Sequence, residues 1–321
     1  MHKIHLITSF NSSSFLTQGK PFLNCYQKFW PKHITLSVFS EEEEVNKIIN
    51  YDNINFFNLY KINKIHHNFV KKYSKSNILK KMDEMNIKSN SKFFKFDVTR
   101  FSFKTFSIIN AVRAIKTDYL IWIDTDVITF DKIPDDFFDK IINLNKEAAI
   151  YYLDRGDKYH PECGFMIFNL KHKLTRKFIN YWEALYKTEN IFFLKEWHDS
   201  YVFKGLLKTF EKNFLNEFIN VSINENKNLG HPFINSVLGD YMDHLKGDRV
   251  KYGKSYYTDL NLKKNHPYWQ FTYREKVFSI YISFASRVKY YFLLITIKLL
   301  RRVYKKIYKT VKKKKLYIFN T

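Results

Sequence analysis

Tyr119-Leu120-Ile121-Trp122-Ile123 places five apolar residues in a row, and Asp124-Thr125-Asp126 follows without a break. A run that is apolar at every position, not at alternate ones, fits a central strand covered on both faces. Carboxylates are costly to bury unless they are paired or hold a cation. In open α/β sheets, ligands bind beyond the carboxyl ends of the strands. Alternate carboxylates at such an edge suit a hard divalent ion, which favours oxygen ligands. The plain alternative is a strand-ending turn that contains two aspartates.

The rest of the chain is consistent with a sheet of this kind. Ile4–Thr8 reads as an opening buried strand, followed by a polar turn over Ser9–Ser14. A helix is predicted over Pro21–Trp30, and strands over Ile34–Phe39 and Ile54–Tyr60, the first closed by the acidic cluster Glu41–Glu44. Phe103, Phe106, Ile109, Ala111, Val112 and Ile115 recur at helical spacing, which predicts a helix within Thr99–Lys116. Ala148–Leu153 and Phe165–Leu170 read as later strands, Leu174–Tyr186 and Asp199–Leu207 as helices. The lysine-rich stretch Lys71–Lys92 reads as an irregular surface excursion. Strands alternating with helices predict an α/β sheet.

Composition narrows the function classes. With 321 residues, 45% of them hydrophobic, the chain can bury a sizeable core, which excludes wholesale disorder. Two cysteines exclude a disulfide framework and a four-cysteine zinc site, and a reducing, intracellular location fits them. The formal net charge is +23, but from Lys276 onward there are 13 Lys or Arg and no acid, leaving +10 for the body. Lys, Asn, Ile, Phe and Tyr are coded by A/T-rich triplets, so the excess in the body need not signal polyanion binding. The apolar run within His2–Thr8 is too short for a secretory signal. No stretch of 18 uncharged apolar residues exists, and Tyr290–Ile297 is the nearest approach. From Lys298 on, Lys298, Arg301, Arg302, Lys305, Lys306 and Lys309 share one side of a helical wheel, and Leu299, Leu300, Val303, Tyr304, Ile307, Tyr308 and Val311 the other. Such a helix, followed by Lys312–Lys315, is expected to lie in an anionic membrane interface. A helix packed on the body, or a nucleic-acid-binding segment, are the alternatives.

Four stretches together resemble the nucleotide-sugar-dependent glycosyltransferases of the GT-A fold. They are Ile4–Asn11; Asp97–Lys104 leading into Leu120–Asp126; Glu162-Cys163-Gly164-Phe165-Met166-Ile167-Phe168-Asn169; and Asp243-His244-Leu245-Lys246-Gly247. The resemblance spans about residues 2–260. It implies a Rossmann-type mixed sheet flanked by helices, with the basic helical C-terminal extension outside it. It implies Mn²⁺ or Mg²⁺ held by Asp126, by Asp124 (which would alternatively contact the donor ribose) and by His244 of an H-x-x-G segment. Related transferases carry a lysine three residues after that glycine; this chain has Val250, flanked by Arg249 and Lys251. Donor contacts are expected from Thr8, Ser9, Phe10, Asp97, Arg100, Lys104, Lys246 and Gly247. Arg100 and Lys104, four apart on one helix face, would otherwise be a solvated basic face. Asp199 has three readings: the base that deprotonates the acceptor hydroxyl, a helix cap, or a donor-sugar contact. Glu162 is the competing base.

The resulting expectation is a catalytic domain over residues 1–265 and a basic tail over 266–321. The reaction is transfer from a nucleoside-diphosphate sugar, a UDP-sugar first, to a hydroxyl of a glycan or lipid-linked acceptor. The enzyme would be cytoplasmic and peripheral at the inner membrane face, with no nucleic-acid partner. The alternatives are a metal-dependent nucleotidyltransferase and a non-catalytic basic module that binds membrane or nucleic acid.

Overall fold

The all-apolar run forms the middle of a seven-stranded mixed sheet. The computed structural model describes residues 2–41, 53–87, 93–157, 159–211, 213–222, 231–285, 288 and 296. The chain divides into two units: Met1–Ser255 with Asn261–Lys264, and Tyr256–Leu260 with the residues from Asn265.

In the first unit the strands are β1 (Ile4–Ser9), β2 (Thr35–Ser40), β3 (Ile54–Asn58), β4 (Tyr119–Ile123), β5 (Val127–Thr129), β6 (Ile150–Leu153), β7 (Glu162–Asn169), β8 (Phe218–Asn220) and β9 (Met242–His244). The large sheet runs β3-β2-β1-β4-β7-β6-β8, and β5 pairs with β9 in a separate ladder. β3, β2, β1 and β4 are mutually parallel, whereas β7 runs antiparallel to both β4 and β6. Every residue of β4 and of β7 is buried, as strands covered on both faces require.

Longer helices cover the sheet: α1 (Lys20–Phe29), α2 (Lys64–Lys72), α3 (Lys75–Glu84), α4 (Val98–Ala114), α5 (Phe137–Ile142), α6 (Lys173–Lys187) and α7 (Asp199–Glu211), with the single turn α8 (Arg249–Tyr252) near the end. α4 carries Phe106, Ile108, Ile109, Ala111 and Val112 into the main core beside Trp122, Phe178 and Trp182. Each large side chain removed from water there contributes roughly 1.5–3 kcal/mol. Arg113 clamps α4 to α6 by donating from Nη1 and Nη2 to the two Glu183 carboxylate oxygens at 2.7 and 2.9 Å.

Three segments differ from expectation. The strand read over Ile54–Tyr60 stops at Asn58, whose side chain caps a helical turn over Leu59–Ile62. Part of Lys71–Lys92 is helical, not irregular: α2 closes at Lys72 and α3 follows at once. α3 buries Ile78 and Met82, four apart on one face, and its lysines point outward. Residues 88–92 lie outside the described residues. The polar turn after β1 contains a helical turn, Ser12–Ser14, where the Asn11 side chain accepts the Ser14 N–H at 2.9 Å.

The second unit contains a helix over 273–285. Within the unit, Ser279 is buried and its hydroxyl accepts the Thr258 N–H at 2.9 Å. The same helix exposes Tyr273 by 82%, Tyr281 by 64% and Phe284 by 63%. No helix among the described residues is long and apolar enough to cross a membrane. The basic amphipathic pattern from Lys298 lies outside the described residues.

Candidate functional site

Five elements, β5, β7, β9, α4 and α7, meet at the carboxyl end of β4. The antiparallel neighbour β7 starts there, so the Asp124 N–H donates to the Gly164 carbonyl at 3.1 Å. Past Asp126 the chain enters β5, whose Val127 faces His244 of β9. The Leu245 N–H then donates to the Asp126 carbonyl at 2.8 Å. α7 begins with Asp199, and α4 sends Lys104 across from the other side.

This convergence brings Asp124, Asp126 and His244 together, with ligand-capable atoms all within 4.8 Å of one another. His244 Nε2 is 3.0 Å from Asp126 Oδ1 and 3.9 Å from Asp124 Oδ2. Asp126 Oδ1 and His244 Nε2 are both buried, and apart from each other neither has a hydrogen-bonding partner among the described residues. Burial alone would make the imidazole less basic, but the charges of Asp126 and Glu162 outweigh it and raise the His244 pKa. Burial and the neighbouring Asp126 charge push the Asp124 carboxyl up, against the pull of Lys104. At Asp126 burial is outweighed by His244, and the carboxyl falls below its usual range. Two carboxylates and an imidazole gathered this closely form a ligand set that fits a divalent cation, which would take the place of the imidazole proton.

Residues around the triad hold it in shape. The Trp122 indole N–H donates to Asp124 Oδ1 at 2.7 Å. Trp122 and Asp124 are two apart, on one side of the extended chain, so this partner was open to discovery in the sequence. His231 Nε2 hydrogen-bonds the His244 carbonyl at 2.8 Å. Burial lowers the His231 pKa to about 3, which keeps the ring neutral at ordinary pH. Gly164 lies against the His244 ring.

Lys104 and Lys246 occupy different places from those expected of diphosphate ligands. The three acceptors around the Lys104 ammonium are Asp124 Oδ1 at 2.8 Å, Asp199 Oδ2 at 2.7 Å and the Cys163 carbonyl at 3.0 Å. An ammonium has three hydrogens, so none is left for a phosphate in this arrangement. Burial opposes its charge, but Asp124 and Asp199 more than compensate and raise its pKa. Lys246 pairs with Glu162, and Gly247 turns the chain beside it at φ +60°.

Glu162 does not have the placement of a base. Its carboxylate is buried and accepts the Gly164 N–H at 3.1 Å. Burial pushes its pKa up, but Lys246 and His244 overcome this and hold it far below the carboxylate range. Its Oε1 lies 3.6 Å from His244 Nδ1, the side from which a carboxylate orients a metal-binding imidazole.

Asp199 is the first residue of α7, not its cap. The cap is His198, whose Nδ1 accepts the Tyr201 N–H at 3.3 Å. Burial of Asp199 is outweighed by Lys104, and its pKa falls. A carboxylate held so acidic accepts hydrogen bonds well but retains a proton poorly.

The expected donor contacts at β1 and α4 divide. Thr8 is buried and its hydroxyl donates to the Ile123 carbonyl at 2.7 Å. Phe10, 6% exposed, packs on Phe15 and over Gly19, so its ring is unavailable to a nucleobase. Ser9 is half-buried at the end of β1. Asp97 caps α4 by accepting the Arg100 N–H at 3.3 Å, a role that the position of an aspartate before a helix could have revealed. Arg100 is exposed, and its guanidinium lies 5.7 Å from the centre of the Phe94 ring.

No protein-family profile and no curated protein sequence matches the chain. Among solved structures, it is similar to core-mannan synthase A of Aspergillus fumigatus in its Mn/GDP form, at 10% identity and TM-score 0.47 over 64% of this chain and 70% of that one. It is similar to the galactosyltransferase LgtC in complex with donor and acceptor sugar analogues, at 12% identity and TM-score 0.44 over 76% and 87%. It is also similar to mouse xyloside xylosyltransferase 1, at 13% identity and TM-score 0.41 over 68% and 85%.

Proposed function

We propose that the protein is a divalent-metal-dependent glycosyltransferase that moves a sugar from a nucleoside-diphosphate sugar, a UDP-sugar first, to a hydroxyl acceptor. The observation that carries this reading is the convergence of Asp124, Asp126 and His244, whose ligand-capable atoms all lie within 4.8 Å of one another. Asp124, Asp126 and His244 would hold the ion, and an imidazole beside two carboxylates suits Mn²⁺ better than Mg²⁺. When bound, the ion supplies Lewis-acid stabilisation of a departing diphosphate. Glu162, 3.6 Å from His244 Nδ1, places a negative charge behind the imidazole. Lys104 fixes the buried Asp199 carboxylate, which would accept a hydrogen bond from a sugar hydroxyl. Lys246 reaches the phosphates only by leaving Glu162.

Calorimetry of UDP with the full chain tests the reading. Affinity is expected to require Mn²⁺ and to fall at least tenfold in Asp126→Ala. Equal affinity with and without Mn²⁺ excludes it. Incubation with sugar nucleotides and with NTPs then separates the chemistry. Release of a nucleoside diphosphate supports sugar transfer, and release of pyrophosphate supports the nucleotidyltransferase reading instead.

For the second unit we propose attachment to an anionic membrane at the cytoplasmic face, where a lipid-linked acceptor would be met. The exposed Tyr273, Tyr281 and Phe284 of helix 273–285 and the acid-free, lysine-rich sequence after Glu275 support it.

A further inference from the structure

Beside Asp199 lies a group of side chains that the proposed chemistry does not use. The turn Phe93–Phe96 is tied to the segment before α7 by the Trp197 N–H, which donates to the Lys95 carbonyl at 2.8 Å. Phe96 packs edge-on against Trp197 at 5.2 Å. Phe94, anchored by that turn, remains 53% exposed. Its ring lies 5.1 Å from Phe101 and 6.3 Å from the His198 imidazole. The guanidinium of the exposed Arg100 lies over the same ring, 5.7 Å from its centroid, and pairs with no carboxylate among the described residues.

This shelf adjoins Asp199 and Lys104 by two routes. His198 immediately precedes Asp199, with Nδ1 and Oδ1 4.0 Å apart. Arg100 is one helical turn before Lys104 on the same face of α4, about 6 Å along the axis, and Lys104 holds both Asp199 and Asp124.

The polar edge of the shelf is organised by Glu196. His198 Nε2 lies 2.8 Å from Glu196 Oε2 and His160 Nε2 3.5 Å from the same oxygen, while Lys95 pairs with Oε1. Two histidines and a glutamate at this spacing resemble a metal site, but two features oppose one. The backbone N–H of Tyr201 is only a donor, so His198 Nδ1 must accept and the ring proton resides on Nε2, facing Glu196. Lys95 already supplies a cation to the same carboxylate. The cluster is therefore a fixed set of hydrogen-bonding groups beside a half-exposed aromatic ring.

We propose that this shelf is an acceptor subsite for an anionic saccharide: the apolar face of a sugar ring rests on Phe94, its carboxylate or phosphate pairs with Arg100, and ring hydroxyls meet the edge formed by His160 and Glu196. An aromatic ring offers the large apolar surface that a pyranose C–H face needs. A guanidinium matches the planar oxygens of a carboxylate or phosphate. The assignment of the ligand as acceptor rests on the sugar-transfer reading above; the binding site itself does not.

Equilibrium binding to the full chain, followed by calorimetry, tests the site without turnover. The probes are methyl β-glucuronide for the carboxylate, glucose 6-phosphate for the phosphate, and methyl β-glucoside for the neutral ring. At least one anionic probe is expected to bind about fivefold tighter than the neutral one, the range of a partly exposed ion pair. Arg100→Gln should bring the three within twofold, and Arg100→Lys should restore part of the preference. Phe94→Ala should weaken all three about fivefold and Phe94→Tyr should not. Equal wild-type affinity for all three probes, or a preference that survives Arg100→Gln, overturns the proposal. Inorganic phosphate binding as tightly as glucose 6-phosphate removes the saccharide from it, and Zn²⁺ binding lost in His198→Ala would replace it with a metal site. Adding UDP and Mn²⁺ separates the two readings: displacement of the saccharide makes the shelf part of the donor site and overturns this proposal alone. Failure of UDP to bind overturns the sugar-transfer reading and leaves the saccharide affinities standing.

Discussion

A Cβ atom on Gly164 would stand 2.3 Å from Cε1 and 2.7 Å from Nδ1 of His244. No real contact is that short, so the strand beside β4 has to be bare at this position for the imidazole to reach Asp126. Gly164→Ala is expected to displace His244 and to lower Mn²⁺-dependent UDP affinity at least tenfold, measured by calorimetry. Overpacking in the buried strand costs about 1–3 kcal/mol, so the variant should remain folded, with a lowered Tm. Unchanged UDP affinity in a folded variant would remove His244 from the site.

Replacing Lys104 strands two carboxylates at once. Lys104→Met is expected to destabilise the fold by about 3–5 kcal/mol, the range for breaking a buried ion pair from one side. Adding Asp199→Asn to it should recover part of the loss, because one of the stranded charges disappears. Urea unfolding of the single and double variants measures this. Strict additivity would mean that Lys104 and Asp199 do not interact.

The cap on α7 makes a smaller, separable prediction. His198→Ala removes the side-chain acceptor of the Tyr201 N–H and should cost about 1 kcal/mol. His198→Asn, which can also cap, should recover most of it in thermal melts. If the Asn variant is no more stable than the Ala variant, capping is not what His198 contributes.

Acid should loosen the α4–α6 clamp. Glu183 is buried; desolvation raises its pKa, but hydrogen bonds from Arg113 and Lys187 outweigh that and lower it. A folded-state pKa below the unfolded one gives stability that is present above the unfolded value, about 4.3. That stability is lost as pH falls through the folded value. Melts from pH 7 to pH 3 should show a steep acid limb for the native chain and a shallower one for Glu183→Gln. At pH 7 the variant should be about 1–3 kcal/mol less stable. Parallel curves would show that Glu183 does not drive the acid limb.

Membrane attachment is checked with phosphatidylserine vesicles. Flotation of the full chain is expected to be strong at low salt and weak at 0.5 M NaCl. Replacing Tyr281 and Phe284 by Ser should reduce it at low salt. Equal recovery with purely zwitterionic vesicles would count against an electrostatic interface.

How much of this was legible depended on whether the deciding contacts were local. Tyr119–Ile123 identified itself because it is apolar at every position, and the end of β4 followed from the two aspartates. α3 hid because Ile78 and Met82 are its only buried residues, too few to show against a lysine-rich background. Asp124 and Asp126 could be named from their spacing, whereas the seat of His244 depends on β9 pairing with β5 far away in the chain. The three partners of Lys104 come from β4, β7 and α7, so no local pattern announces that its hydrogens are taken. Phe10 was expected to contact the donor because only the tertiary structure reveals the gap over Gly19 that receives its ring.

One ammonium group serves the aspartate at the end of β4 and the aspartate at the start of α7. Its field is shared, so charge cannot change at one end of this bridge without being felt at the other. A ligand that draws Asp124 away leaves Asp199 with more of the lysine, and a ligand that engages Asp199 returns more of it to Asp124. The two aspartates thereby share one counter-charge across two short contacts, so substitution of either is expected to shift the titration of the other.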